Sequence, residues 1–247
     1  MTNQNIKYIR SLHQKKYRAQ ENKFLVEGEK DVLEVLASDF EIDQLFFTEK
    51  FVKHQAQFSS LQPSQLIESS AKQLTSAGTF KTNDAAIAIV NNKPSSQELR
   101  PITDLAIALD AVRDPGNLGT IIRIADWYGI KDIFCSTDTA EWQNPKVISA
   151  SKGSFTRVNI HYVDLAEFLE IQNKKLEIFG AFMHGENLHQ TSLALPAILV
   201  MGNESQGIGQ TVSEKIKNRL TIPSFGQAES LNVGIATAIF CDAFRRI

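Results

Sequence analysis

The sequence predicts an α/β protein in two parts: a small N-terminal α/β module, then a larger domain whose parallel sheet carries helices on both faces. Three observations point there. From residue 105 onward, strand-like runs alternate regularly with helix-like segments, the order that builds a parallel sheet. Those runs are nearly continuous in apolar residues (LAIALDAV, IFGAF, AILVMG), as strands covered on both faces require. Between the parts lies NNKPSSQELRP at 91–101, with two prolines, two serines, two asparagines and no periodicity. The division expected is therefore 1–93, a linker over 94–103, and 104–247.

In the first part, Ile6, Ile9, Leu12 and His13 fall at helical spacing and predict one helix over about 5–20. A short strand over 24–27 stops at Gly28, a helix follows over 29–36, and a strand over 42–48. Residues 50–80 are polar and read as a short helix or two, and 85–90 as a closing strand. In the second part, strands are expected at 105–111, 131–136, 157–162, 176–182, 197–201 and 219–222. Helices are expected at 117–128, 145–152, 164–171, 210–218 and 230–246. Ser230 stands where an N-cap belongs, before a helix apolar nearly all round, which must then be buried nearly all round.

With 43% hydrophobic and 22% charged residues the composition is that of a globular protein, and no apolar run approaches the ~20 residues of a membrane span. Two cysteines, Cys135 and Cys241, each lie in an apolar segment and read as reduced core thiols of a cytoplasmic protein. A net charge of -2 carries no global sign of nucleic acid. The distribution says more. Lys7, Arg10, Lys15, Lys16, Arg18 and Lys23 face a single acid, Glu21, with Tyr8, His13 and Tyr17 interleaved. Such a segment suits RNA contact. Over residues 1–95 the balance is near neutral, 12 basic against 11 acidic, so affinity would come from such local patches.

Chemistry concentrates at three predicted strand ends, where ligands gather in sheets of this kind. The first is Arg113-Asp114-Pro115-Gly116-Asn117-Leu118-Gly119, leading into a helix that carries Arg123. The second is Gly202-Asn203-Glu204-Ser205-Gln206-Gly207 and the third the loop 224–229 before Ser230 and Asn232. Each has glycines that let backbone approach a ligand and one or two polar side chains. Neither dinucleotide nor phosphate-loop fingerprint is present, nor HExxH, CxxC or an acidic triad, so neither a metal nor metal-assisted hydrolysis is expected. The five histidines are scattered, and His161, within a strand, reads as structural. A site without an obvious acid, base or metal suits a reaction whose hard step belongs to a cofactor.

The stretches LDAVRDPGNLGTIIRIADWYG, ILVMGNESQGI and IPSFGQAESLNVGIATAIF resemble motifs 1, 2 and 3 of the SpoU/TrmH RNA ribose 2′-O-methyltransferases, within the SPOUT superfamily. SASKGSFTRV at 149–158 resembles the family's intermediate stretch, and YIRSLHQKKYRAQENKFLVEGEKDVLEVL the substrate-binding domain of many members. The resemblance implies a deep trefoil knot, where general topology rules alone give an unknotted doubly wound sheet. It also implies S-adenosylmethionine as cofactor, RNA as substrate with rRNA ahead of tRNA, and a homodimer; no membrane partner is expected, for want of a span-length apolar run. By the same resemblance Arg123, Asn117, Glu204, Ser230 and Asn232 are catalytic positions, and Met201, Gly202, Asn203, Ile222, Ser230 and Leu231 hold the cofactor. Ala111 and Gly234 depart from the pattern, standing where glycine and serine are common. The rival readings are a catalytically inactive RNA-binding relative and a different nucleotide-dependent α/β enzyme.

Overall fold

The computed structural model describes residues 1–93 and 100–246, so most of the expected linker lies outside the described residues. In chain order the first elements are α1 (Asn3–Ser11), α2 (Lys15–Glu21), β1 (Lys23–Glu27), α3 (Glu29–Leu36) and β2 (Ile42–Phe47). Then come β3 (Leu66–Glu68), α4 (Ala71–Ala77), β4 (Ala86–Asn91), β5 (Leu105–Leu109), α5 (Pro115–Trp127), β6 (Asp132–Ser136) and α6 (Pro145–Ser151). The last are β7 (Asn159–Val163), α7 (Leu165–Gln172), β8 (Glu177–Asn187), β9 (Ala197–Met201), α8 (Gln210–Ser213), β10 (Asn218–Thr221) and α9 (Val233–Arg245). The chain forms two compact units, one of Met1–Gln97 with Glu141–Thr156, the other of Glu98–Ala140 with Arg157–Ile247.

The first unit holds a four-stranded sheet in the order β1-β4-β2-β3, antiparallel except for the β2–β3 pair. On one face Ile9 of α1, Leu12 at its C-terminal cap and Leu74 of α4 pack with Leu25, Phe46, Ile87 and Ile89. Phe24 points the other way, as alternation along β1 requires. There it meets Phe40, Trp142 and Phe155 with ring centroids 5.1–6.1 Å apart. Trp142 and Phe155 come from the Glu141–Thr156 segment, which fills this unit's second face although it follows β6 in the chain.

The predicted helix over 5–20 is two helices, α1 and α2, broken at Gln14, whose backbone is extended. The cause is Arg18, 2% exposed, whose Nη1 donates to the carbonyls of Leu12 at 3.0 Å and His13 at 2.8 Å. Those are carbonyls that a continuing helix would have satisfied itself. In the polar 50–80 stretch two short 3-10 helices, separated by a kink at His54, span Glu49–Phe58, and the short strand β3, too brief to show a period, pairs with β2.

The second unit is a six-stranded parallel sheet in the order β10-β8-β9-β5-β6-β7. On one face Ala106, Ala108, Ile178, Ile198 and Val200 pack with Phe168 and Leu169 of α7 and Val212 of α8. On the other, Phe244 of α9 meets Phe179 edge-on at 5.2 Å. The helices α5 and α9 run side by side in the same direction: Gly234 lies against Thr120 near their starts, and Arg245 donates to the Tyr128 carbonyl near their ends. Arg245 is also forked onto Asp104 at 2.8 and 2.9 Å, which holds the Asp104 carboxyl below its usual range. The helix expected over 210–218 is only the single turn α8. Because every strand of this sheet points the same way, the loops after β5, β9 and β10 open at one edge.

Candidate functional site

At that edge the strand ends are joined by hydrogen bonds. The backbone N–H of Asp110, just past β5, donates to the Met201 carbonyl at 2.9 Å, and its carboxylate accepts the Gly209 N–H at 2.7 Å. Burial pushes the Asp110 carboxyl above its ordinary range, with the Gly209 N–H opposing. Ala111 follows with φ 55, the left-handed region. Its N–H donates to Ser136 Oγ at 2.9 Å and its carbonyl accepts from Asn203 Nδ2 at 2.7 Å. Glycine reaches that conformation without strain, so the departure at Ala111 is a backbone matter carried by two hydrogen bonds.

The loop after β9 closes on itself. Asn203 and Gly207 exchange backbone hydrogen bonds at 2.9 Å each, and Asn203 Oδ1 accepts the N–H groups of Ser205 and Gln206. A Cβ on Gly202 would stand 2.2 Å from the Gly207 carbonyl carbon, so only glycine fits. This turn places Glu204 on its rim.

Asn117 is the centre of the site. Asp114 caps α5 by accepting the Asn117 N–H at 2.8 Å, with Pro115 at the first helical position. From the first turn of α5, Asn117 Nδ2 donates to Glu204 Oε1 at 2.8 Å, and Asn117 Oδ1 accepts from Asn232 Nδ2 at 2.9 Å. Asn232 Oδ1 in turn caps α9, accepting from Gly234 at 2.9 Å and Ile235 at 3.3 Å. The directions are mutually forced. Backbone N–H groups fix the Asn232 oxygen, so its amide must donate to Asn117, whose own amide must then face Glu204. One run of hydrogen bonds thus links all three sequence motifs.

The α9 cap is Asn232, not Ser230, and the helix starts at Val233. Ser230, Leu231 and the loop before them are exposed, and Ser230 makes no hydrogen bond among the described residues. The expectation that this helix is buried all round also fails for the single chain, where Ile235 is 56% exposed. Ile222 sits half-buried just past β10. Among the described residues the backbone N–H groups of 224–231 donate to nothing, which leaves a row of donors open at a strand end. Such donors, the glycine turn at Gly202 and the buried Met201 suit the adenine and carboxylate ends of S-adenosylmethionine. Arg123 is exposed on α5 without an ion pair among the described residues.

The basic set of the first unit divides. Lys7, Lys15 and Lys16 are exposed. Arg10 donates to the Ser76 carbonyl at 2.9 and 2.7 Å, and Lys23 pairs with Asp43 at 2.9 Å. Arg18 is corrected from RNA contact to structure: its guanidinium is buried, with Nη2 on Glu141 at 2.6 Å. Helical spacing alone could not show that this side chain turns inward. The capping role of Asp114 and the bracing role of Asp110 escaped the sequence reading, although Asp114-Pro115 is itself a helix-start signal. His161 bonds Asp132 at 2.9 Å and stacks on Phe134, and both cysteines are free and buried, with burial pushing the Cys241 thiol up to about 12. Among the described residues no cluster could hold a metal and no helix is long and apolar enough to cross a membrane.

Residues 104–242 match the SpoU rRNA Methylase family and residues 3–88 the MRM3-like substrate binding domain. A 23S rRNA (guanosine(2553)-2′-O)-methyltransferase of Bacillus subtilis is 32% identical over 96% of this chain and 94% of its own length. A tRNA (guanosine(18)-2′-O)-methyltransferase of Aquifex aeolicus is 31% identical, over 55% of this chain and 66% of its own. Among solved structures, a TrmH-family protein of Porphyromonas gingivalis is 35% identical with a TM-score of 0.86, covering 100% of this chain and 98% of that one. An AdoMet-bound rRNA methyltransferase of Sinorhizobium meliloti is 28% identical with a TM-score of 0.89, covering 100% and 95%. With the family matched across the whole parallel-sheet domain, and its three motifs joined through Asn117 at one sheet edge, the chain belongs to the SpoU RNA methylase family.

Proposed function

We propose that this protein transfers the methyl group of S-adenosylmethionine to a ribose 2′-hydroxyl of ribosomal RNA, with the three strand-end loops as its active site. The observation that carries the reading is the run Glu204–Asn117–Asn232–α9, which holds motifs 1, 2 and 3 in one hydrogen-bonded unit. Ribosomal RNA is favoured over tRNA because the 23S rRNA relative matches along nearly the full chain, whereas the tRNA relative matches little more than half.

The cofactor would rest on backbone at Met201, Gly202, Asn203, Ile222 and Leu231, with Ser230 at its methionine end. Bound there, S-adenosylmethionine supplies a sulfonium methyl already activated for displacement. The chain's own work is orientation, which can contribute on the order of 7–11 kcal/mol, and handling the hydroxyl proton. Arg123, exposed on α5 without an ion pair among the described residues, is available to the hydroxyl oxygen as its proton passes to solvent water. A guanidinium carries no acceptor lone pair and is a poor general base. It is well suited to stabilise a developing alkoxide and to clamp the neighbouring phosphate. Glu204 and Asn117 shape the RNA pocket, and Asn232 fixes α9 beneath it. Lys7, Lys15 and Lys16 offer phosphate contacts in the substrate-binding unit.

The exposed apolar residues Trp127, Leu231 and Ile235, on or beside α5 and α9, support a homodimer that covers them. Family membership supports the trefoil knot, and an rRNA substrate and two free buried thiols support a cytoplasmic location.

The test is transfer of tritiated methyl to undermethylated ribosomal RNA, with wild type beside Arg123→Ala. Loss of incorporation by at least about a thousandfold, with cofactor affinity intact by calorimetry, is expected. Normal turnover at saturating cofactor with weakened cofactor binding would remove Arg123 from the chemistry.

A further inference from the structure

The substrate-binding unit has a cleft of about 550 Å³ between α4 and the loop before β4. Lys72, Thr75 and Ser76 line it from the helix, and Lys81, Thr82 and Asp84 from the loop. None of these belongs to the basic segment singled out in the sequence. The volume is that of a small-ligand or single-nucleotide pocket.

Its charge is decided by which groups are already paired. Asp84 is the only acid in the lining, and it is ion-paired with Lys50. Lys72 and Lys81 have no ion pair among the described residues. Arg10 reaches the same rim, donating through Nε and Nη2 to the Ser76 carbonyl and through Nη2 to its hydroxyl at 3.0 Å. Both acceptors are neutral, so no carboxylate offsets the guanidinium, and Nη1 donates to nothing among the described residues. Elsewhere in the unit Arg18, Lys23, Lys53 and Lys93 are each matched by a carboxylate, while Lys7, Lys15 and Lys16 are exposed without an ion pair among the described residues. Three unmatched cations and three hydroxyls therefore share one rim.

The cleft is also preformed. Buried Glu27 accepts the Thr79 N–H at 2.9 Å and its hydroxyl at 2.7 Å. A Cβ on Gly78 would stand 2.1 Å from Glu27 Oε2, so glycine lets the loop press against that carboxylate. Thr75 Oγ1 accepts the Asn83 N–H at 3.1 Å, and Asn83 Nδ2 donates to the Ala86 carbonyl at 2.9 Å. The loop is anchored at both ends before any ligand arrives.

We propose that this cleft grips the sugar–phosphate backbone of the RNA substrate, an inference that rests on the RNA-methylating reading and adds a site to it. Lysine ammonium groups and hydroxyls are phosphate and ribose contacts, and no aromatic ring lines the cleft for base stacking. The grip fixes where the RNA lies without reading its sequence.

The full chain is tested against unmethylated 23S rRNA transcribed in vitro, as wild type, Lys72→Glu/Lys81→Glu, the milder Lys72→Gln/Lys81→Gln, and a control pair in the other unit, Lys131→Glu/Lys174→Glu. RNA affinity should fall about tenfold or more in the glutamate pair and less in the glutamine pair, and the slope of log affinity against log salt should shrink by about 2. In methyl transfer the KM for RNA should rise while kcat stays within about twofold, with cofactor affinity and Tm unchanged. RNA affinity within about twofold of wild type, or an equal loss in the control pair, would overturn the proposal. Failure of the methyltransferase reading is separable, since it shows as a wild type that neither binds S-adenosylmethionine nor labels RNA, while the binding comparison still decides the cleft.

Discussion

Asp31 is 5% exposed on α3, and its Oδ1 has no hydrogen-bond partner among the described residues. Burial pushes its carboxyl up to about 6, against the opposing pull of Lys152 and Lys30. The native state thus holds this proton more tightly than the unfolded chain does. Its contribution is fully present below the unfolded value of 3.8 and is lost as pH rises through about 6. Asp31→Asn should therefore raise stability at pH 7.5 by about 2 kcal/mol and leave it unchanged near pH 4. Urea unfolding at the two pH values checks this, and a variant less stable at pH 7.5 would show that the carboxylate has a partner it needs. At the same scale, Gly234 is explained by its neighbour: a Cβ there would already stand 3.1 Å from the Thr120 methyl, which limits what the α5–α9 contact admits.

At the scale of elements, the junction of α1 and α2 depends on Arg18. It satisfies two carbonyls at the end of α1 and forks onto Glu141, whose segment supplies Trp142 and Phe155 to the unit's aromatic face. Truncation leaves a half-buried carboxylate and two carbonyls without this partner. Arg18→Ala should cost about 2–4 kcal/mol, toward the lower end of buried-pair breakage because Glu141 retains some exposure. Chemical unfolding measures the loss. RNA affinity of the folded variant should match wild type, in contrast to the cleft lysines; a stability loss under about 0.5 kcal/mol would mean the junction is held otherwise.

For the whole molecule, the single chain leaves exposed apolar side chains on α5 and α9 unexplained. Trp127 is 83% exposed and Ile235 56%. Ile235 lies in the first turn of α9, three residues after Asn232, so a second copy seated there would adjoin the site. On the proposed homodimer, Ile235→Glu should shift sedimentation equilibrium toward monomer and lower methyl transfer at least about tenfold, since a charge in an apolar interface costs several kcal/mol unless paired. A variant that stays dimeric and active would place the interface elsewhere.

By itself the sequence determined the periodic and local features. Strand–helix alternation from residue 105 gave the parallel sheet, because burial on both faces leaves an apolar run that no exposed strand shows. Glycines and polar residues at Asn117, Glu204 and Asn232 marked the strand-end loops, because chain near a ligand needs small residues and free dipoles. Local pattern could not say that Arg18 turns inward, that Asn232 rather than Ser230 caps α9, or that Glu141–Thr156 completes the first unit's core. Nor could it join Lys72, Lys81 and Arg10 around one cleft. Each of these depends on groups brought together from distant positions, and only the tertiary structure decides which charges are matched by a partner and which remain open to a ligand.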